Sequence, residues 1–131
     1  MFLLLVGAQA VAGDIVVKID GVQADADLAL ALVFADQPEW PVTPLREVHS
    51  RDHSVRLRNL PPGRYALQLY QDLNGNGQLD LSPRGVPLEP VGFSANPALV
   101  NGKPGPVKCG FEHGKGDTDV QIKLQSPKAK G

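Results

Sequence analysis

The chain has 131 residues, of which 14 are Gly, 12 are Pro and 42% are hydrophobic, and its net charge is −1. This length favours one domain, and the hydrophobic content excludes an intrinsically disordered chain. The near-neutral charge, without a basic patch interleaved with aromatic residues, argues against nucleic-acid binding. Frequent turn residues beside a substantial apolar content favour an all-β fold built from short strands.

The first twelve residues, MFLLLVGAQAVA, contain no charged side chain. They are too short to cross a bilayer, which takes roughly 20 apolar residues. Ala10-Val11-Ala12 is a small-x-small sequence of the kind that signal peptidase accepts. We therefore interpret residues 1–12 as the remnant of a signal peptide. This predicts a periplasmic or secreted protein that has no membrane span after signal removal; the alternative is a first strand or a buried N-terminal segment.

Strand patterns follow along the rest of the chain. Alternating or β-branched apolar runs predict strands at Asp14–Asp20, Leu28–Phe34, Ser54–Leu60, Arg64–Gln71, Val107–Glu112 and Asp119–Gln125. The run Leu28–Phe34 is apolar on both faces, which is typical of a central strand. Pro61-Pro62-Gly63 separates two alternating runs and predicts a hairpin between them.

Two stretches lack such patterns and are interpreted as loops. Residues 35–53 contain three prolines, and residues 72–106 form a long segment rich in Gly, Pro and Asn. A loop as long as 72–106 is uncommon in a compact domain and usually carries function. The sequence thus predicts one antiparallel β-sandwich of about seven strands over residues 13–125, Ig-like or transthyretin-like, followed by a disordered tail at 126–131.

The start of the long loop has the spacing of a calcium-binding loop. Oxygen-bearing side chains occupy relative positions 1, 3, 5 and 9, a glycine occupies position 6, and position 7 can offer a backbone carbonyl. These candidate ligands are Asp72, Asn74, Asn76, Gln78 and Asp80, with Gly77 at the sharp turn. Calcium takes 6–8 oxygen ligands, and this alternation supplies several of them from one short segment.

The loop is not an EF-hand. Position 12, where an EF-hand has a bidentate Glu, is Pro83, and the preceding run Arg64–Gln71 has the pattern of a strand. Glu89 is the nearest downstream carboxylate and is the candidate that completes the shell, with water or a backbone carbonyl as alternatives. A polar turn without metal is the competing interpretation, since Asn74-Gly75 and Asn76-Gly77 are strong turn dipeptides.

Three runs occur together in this chain: Leu60-Pro61-Pro62-Gly63-Arg64-Tyr65, the loop Asp72–Asp80, and Gly85–Asn96 with its G-x-P-x-E-x-x-G-F-S pattern. In this order they resemble the exported bacterial family called domain of unknown function 2141. The resemblance extends over roughly Gly13 to Leu124. It implies export and a β-sandwich, and it implies no particular activity, because the family has none established.

Other chemistry-bearing residues have structural interpretations. Cys109 is the single cysteine and has apolar neighbours, which predicts a buried thiol. His49, His53 and His113 lack metal-ligand spacing and are predicted to be solvated surface residues. Trp40 is predicted to cap the core, with an exposed ligand platform as the alternative.

The function predicted from these features is a cell-envelope binding or structural module with a calcium-type loop, not an enzyme. Its partner would be an envelope protein or an extracellular ligand of unknown identity. Two alternatives remain: an envelope hydrolase that uses the loop carboxylates, and an accessory β-domain without metal.

Overall fold

The computed structural model describes residues 12–22, 27–72, 89–97 and 104–125. Within these ranges the chain forms eight strands and one short 3₁₀ helix, Pro106–Cys109. The strands are β1 Gly13–Asp20, β2 Asp27–Phe34, β3 Arg46–Ser50, β4 Ser54–Leu60, β5 Gly63–Asp72, β6 Val91–Phe93, β7 Gly110–His113 and β8 Thr118–Lys123. In these ranges no helix has the length and apolar character needed to cross a membrane.

The strands form two packed sheets. One is three-stranded in the order β4-β1-β8, and the other is five-stranded in the order β3-β2-β5-β6, with β7 also paired to β5. The prediction of an all-β sandwich is confirmed. Its description as antiparallel is wrong at one place, because β1 and β8 pair in parallel. The more specific Ig-like or transthyretin-like label stays a prediction.

The main core lies between the sheets and follows from strict alternation along the strands. In β5 the residues Tyr65, Leu67 and Leu69 point inward, and in β4 Val55 and Leu57 approach from the other sheet. Burying each large aliphatic side chain contributes roughly 1.5–3 kcal/mol, so this two-sided layer dominates the stability of the fold.

A second apolar cluster covers the outer face of the five-stranded sheet. Its buried members are Val33, Ala35, Ala66, Val91, Phe93 and Cys109. Trp40 packs against Phe93 with ring centroids 5.9 Å apart, and its Nε1–H donates to the carbonyl of Pro104 at 2.7 Å. The core-capping interpretation of Trp40 therefore agrees with the contacts, and the second cluster explains why β2 is apolar on both faces.

The predicted hairpin at Pro61-Pro62-Gly63 is wrong. β4 pairs with β1, whereas β5 pairs with β2, β6 and β7, so the two strands lie in different sheets. The turn carries the chain from one sheet to the other. The hydroxyl of Tyr65 donates to the carbonyl of Pro61 at 2.7 Å and holds this crossing in place. The alternating pattern shows which face of each strand is buried. It does not show which sheet the strand belongs to, because the inward faces of both sheets have the same pattern.

Two strands were missed because they lie in segments interpreted as loops. β3 lies within 35–53 and pairs with β2, and β6 lies within 72–106 and pairs with β5. β6 has only three residues, too few for a periodic signal. The segment 72–106 is therefore not one continuous loop, and the first part of the predicted strand Val107–Glu112 belongs to the 3₁₀ helix.

The prediction of a surface position for His113 is wrong. The ring is 2% exposed, and its Nε2–H donates to the carbonyl of Leu60 at 2.8 Å. In the neutral ring, Nδ1 then accepts from the hydroxyl of Thr118, 2.7 Å away. His113 thus links β7 to β4 and to the start of β8, the two edge strands of the other sheet. The prediction for Cys109 is confirmed, because this thiol is fully buried.

A network of polar side chains holds the start of β1 in place. Arg56 donates to the Asp14 carboxylate at 2.8 Å and to Asp117 at 3.3 Å. The other Asp14 oxygen accepts from the backbone N–H of Asn59 at 3.0 Å. Asn59 has a φ of 59°, in the left-handed region, and the β1–β4 register shifts beside it. The Asp14 carboxylate therefore holds a strained backbone position where the strand pairing is irregular.

Replacing Asp14 by Asn should flatten the acid side of the stability curve. The hydrogen bonds from Arg56 and then from Asn59 lower the pKa of Asp14. A lowered folded-state pKa stabilises the protein above the unfolded value of about 4, and this contribution is lost as pH falls through the folded pKa. Urea unfolding between about pH 2 and pH 7 measures the change.

Arg56→Met is the matched variant, since it removes the first cause of the shift. It should flatten the same part of the curve, and the double variant should add little to either single variant because the residues are in contact. An acid limb in Asp14→Asn as steep as in the wild type would show that this network does not control acid stability.

Candidate metal site at the end of strands β5 and β6

The predicted calcium ligands are divided between described and undescribed parts of the chain. Asp72 is the last residue of β5, and Glu89 precedes β6 by two residues. Asn74, Asn76, Gln78 and Asp80 lie outside the described residues. Asp72 and Glu89 are thus the predicted ligands with a described geometry, at the two ends of segment 73–88.

The β5–β6 pairing brings these two ends together. Leu69 pairs with Gly92 and Tyr70 with Val91. The N–H of Gln71 then donates to the carbonyl of Pro90 at 2.9 Å, which extends the pairing beyond β6. One step further along this register, the position opposite Asp72 is Glu89. Two residues far apart in sequence are thus opposite each other, because two antiparallel strands close the segment between them.

The candidate site lies on the outer face of the five-stranded sheet. Glu89 is only 5% exposed, and Oδ1 of Asp72 is buried. A third carboxylate is added by β2, because Asp27 pairs directly with Asp72. The Asp27 carboxylate accepts from Nε of Arg51 at 2.9 Å, so part of the local negative charge is balanced.

Asp27 was missed by sequence reasoning. Its position becomes meaningful only once β2 is known to pair with β5 in this register. Within the described ranges, no group of three or more His, Cys, Asp or Glu side chains is arranged to hold a metal ion. A complete calcium shell would therefore need oxygen atoms from residues 73–88 together with the two carboxylates at the ends.

One comparison with known proteins places the chain. A family model described as an uncharacterized protein conserved in bacteria, DUF2141, matches residues 17–121. The chain belongs to this family. Neither the curated proteins nor the solved structures yielded a match. The family description assigns no activity, so the roles of the DUF2141 motif residues have to be read from their contacts.

Several residues of the G-F-S part of the DUF2141 pattern have structural roles. A Cβ on Gly92 would lie 2.4 Å from Cγ2 of the buried Ile122, so glycine is needed where β6 approaches the other sheet. Next to it, Val91 and Gln125 exchange two backbone hydrogen bonds of 3.0 and 2.7 Å. These contacts fasten β6 to the end of β8.

The two polar residues after Phe93 continue this fastening. The Ser94 hydroxyl accepts from the N–H of Leu67 at 2.8 Å and donates to the carbonyl of Cys109. The Asn96 side chain accepts from the N–H of Lys123 at 3.0 Å and donates to the carbonyl of Gln121 at 3.1 Å. Asn96 thereby supplies to the edge of β8 the bonds that a neighbouring strand would make.

These contacts separate the DUF2141 motif into two parts. Tyr65, Gly92, Ser94 and Asn96 are occupied by the packing and hydrogen bonding of the sandwich. The acidic residues Asp72 and Glu89 lie at the two ends of segment 73–88. Asp72 is therefore positioned by the central strand β5. Glu89 is positioned by β6, which is anchored to β5 and to the end of β8.

Proposed function

We propose that this DUF2141 chain is an exported binding or structural module of the cell envelope whose segment 72–89 is ordered by a calcium ion. The observation that carries the proposal is the β5–β6 register. Continued by one step, it makes Asp72 and Glu89 opposite each other, where β5 ends and just before β6 begins. The ligand set is Asp72, Asn74, Asn76, Asp80 and Glu89, with the Gln78 carbonyl.

The electrostatics of the strand end support a cation. Asp72 and Glu89 occupy neighbouring positions, and Asp27 adds a third carboxylate on the next strand. Glu89 is almost fully buried, and a buried carboxylate is stabilised by a positively charged partner. Arg51 forms an ion pair with Asp27. A divalent ion between Asp72 and Glu89 would add positive charge to this group of carboxylates.

The oxygen donors also favour calcium over other ions. Carboxylates, amides and a backbone carbonyl are hard ligands, which suit calcium and magnesium. A ligand set that contains several neutral amides suits the larger, less geometrically demanding ion. With few charged ligands, the affinity falls in the range of extracellular modules, about 10⁻⁴ to 10⁻³ M. An exported protein meets calcium at such concentrations.

Calcium should raise the melting temperature of the mature domain. An ion that binds only the folded state stabilises by RT ln(1 + [L]/Kd), about 1.4–2.7 kcal/mol at ~10 mM calcium for this affinity range. Differential scanning calorimetry in calcium, in magnesium and in chelator measures the effect. Magnesium should do less, because it needs a tighter octahedral shell and dehydrates reluctantly. Identical melting curves in calcium and chelator would refute the metal site.

Matched variants separate ligands from bystanders. Asp72→Asn keeps the side-chain shape and should abolish the calcium response, and Glu89→Gln tests whether the second carboxylate completes the shell. Asp119→Asn removes an exposed carboxylate from β8 in the other sheet and should leave the response intact. A full response in Asp72→Asn would assign calcium to another part of the chain.

The export part of the proposal rests on residues 1–12 and their small-x-small end. Expression of the chain in a bacterium should yield a mature protein that begins near Gly13, measured by intact mass and N-terminal peptide analysis. A cellular protein that keeps residues 1–12 would contradict export through this sequence. The hydrolase alternative has no supporting observation among the described residues and stays a hypothesis.

A further inference from the structure

A cavity of about 160 Å³ lies on the outer face of the five-stranded sheet, beside the candidate metal site. Its floor is formed by the small side chains of Ala29 and Ala31 on β2. One side is formed by Pro41 and Pro44, from the segment between β2 and β3, and the exposed Val42 lies at its rim. The cavity exists because the small alanine side chains leave space on the face of the sheet. The segment between β2 and β3 lies next to this space and does not fill it.

Three polar side chains also line the cavity. Tyr70 and Gln68 come from β5, and Glu47 comes from β3. Tyr70 pairs with Ala29, and Glu47 pairs with Ala31, so the strand register fixes both residues beside the alanine floor. The polar groups therefore stand on regular strands, which position side chains better than loops do.

Among the described residues that line the cavity, Glu47 is the one ionised group. Its carboxylate lies 3.4 Å from Nε2 of His49, and it is 58% exposed. An anionic ligand would be repelled by this carboxylate. A neutral apolar ligand would displace water from it without replacing the lost hydrogen bonds. A cation would meet an opposite charge and, at Tyr70, an aromatic ring able to attract it.

The size of the cavity restricts the ligand to about one ring. A cavity of about 150 Å³ accommodates a benzene molecule. The walls of proline, valine and alanine suit an apolar body, and the polar groups sit on the opposite strands. Sites for small molecules have this composition, mostly apolar with a few placed polar groups.

We propose that this cavity is a second site, which binds a small organic cation with a single-ring apolar body, held by Glu47 and Tyr70. It does not depend on the calcium proposal, because Asp72 and Glu89, the predicted calcium ligands that the structure describes, are not among the residues that line it. Its position on the same face, two residues along β2 and β5 from Asp27 and Asp72, would place the organic ligand beside the metal-ordered segment.

The test uses benzylammonium as the probe, with benzyl alcohol and benzoate as neutral and anionic matches. Amide resonances of the ¹⁵N-labelled chain are followed during each titration, in chelator so that calcium plays no part. Benzylammonium should shift the amides of Ala29, Ala31, Glu47 and Tyr70, with a dissociation constant of about 1–10 mM for so small a ligand. Benzyl alcohol should bind several-fold more weakly, and benzoate should not bind.

Variants then test the contributions of the Glu47 charge and of the space above Ala31. Glu47→Gln should weaken benzylammonium about three- to fivefold, as expected for a half-exposed charge pair, and should leave benzyl alcohol unchanged. Ala31→Leu should fill the floor and abolish binding of both. Asp119→Asn, on the other sheet, should change neither titration.

Equal affinity for benzylammonium and benzyl alcohol would overturn the assignment of a cationic ligand. Stronger binding of benzoate than of benzylammonium would show that the site prefers an anion. The absence of shifts at the four amides up to about 50 mM probe, well above the expected dissociation constant, would show that the cavity is not a binding site. The wild-type titrations decide these points even if a variant fails to fold.

Discussion

The rest of the structure depends on the pairing of β5 with neighbours on both edges. β5 binds β2 along one edge and both β6 and β7 along the other, so it joins segments distant in sequence into one sheet. Its inward residues form the centre of the main core, and its outward residues support the second cluster, the cavity and the candidate metal site. A shift of one residue in the β5 register would exchange these two faces.

Sequence patterns predicted the faces of strands better than their partners. The alternation in Ser54–Leu60 and Arg64–Gln71 correctly identified two strands and their core-facing residues, and their true bounds agree closely. It could not tell that they belong to different sheets, because residues facing one core from opposite sides look alike. The parallel pairing of β1 with β8 joins the two ends of the domain and has no local signal. His113 was misassigned for the same reason, since its partners Leu60 and Thr118 come from two other strands.

The candidate site shows the same division. The spacing of oxygen-bearing residues from Asp72 onward is local and was visible in the sequence. The closeness of Glu89 to Asp72 was a guess from sequence order, and it is now supported by the β5–β6 register. Asp27 and the cavity over Ala29 and Ala31 required the β2 pairing, which no single segment encodes.

The central claim is that an ion within segment 72–89 holds the ends of β5 and β6 together. The amide of Gln71 reports on this most directly, because its N–H is bonded to the Pro90 carbonyl next to the site. Hydrogen exchange at this amide should slow in calcium relative to chelator, up to about a hundredfold at a hundredfold excess over Kd. The amide of Ile19, bonded to His53 at the far sheet, should slow much less when local opening dominates its exchange. An unchanged exchange rate at Gln71 would contradict the account.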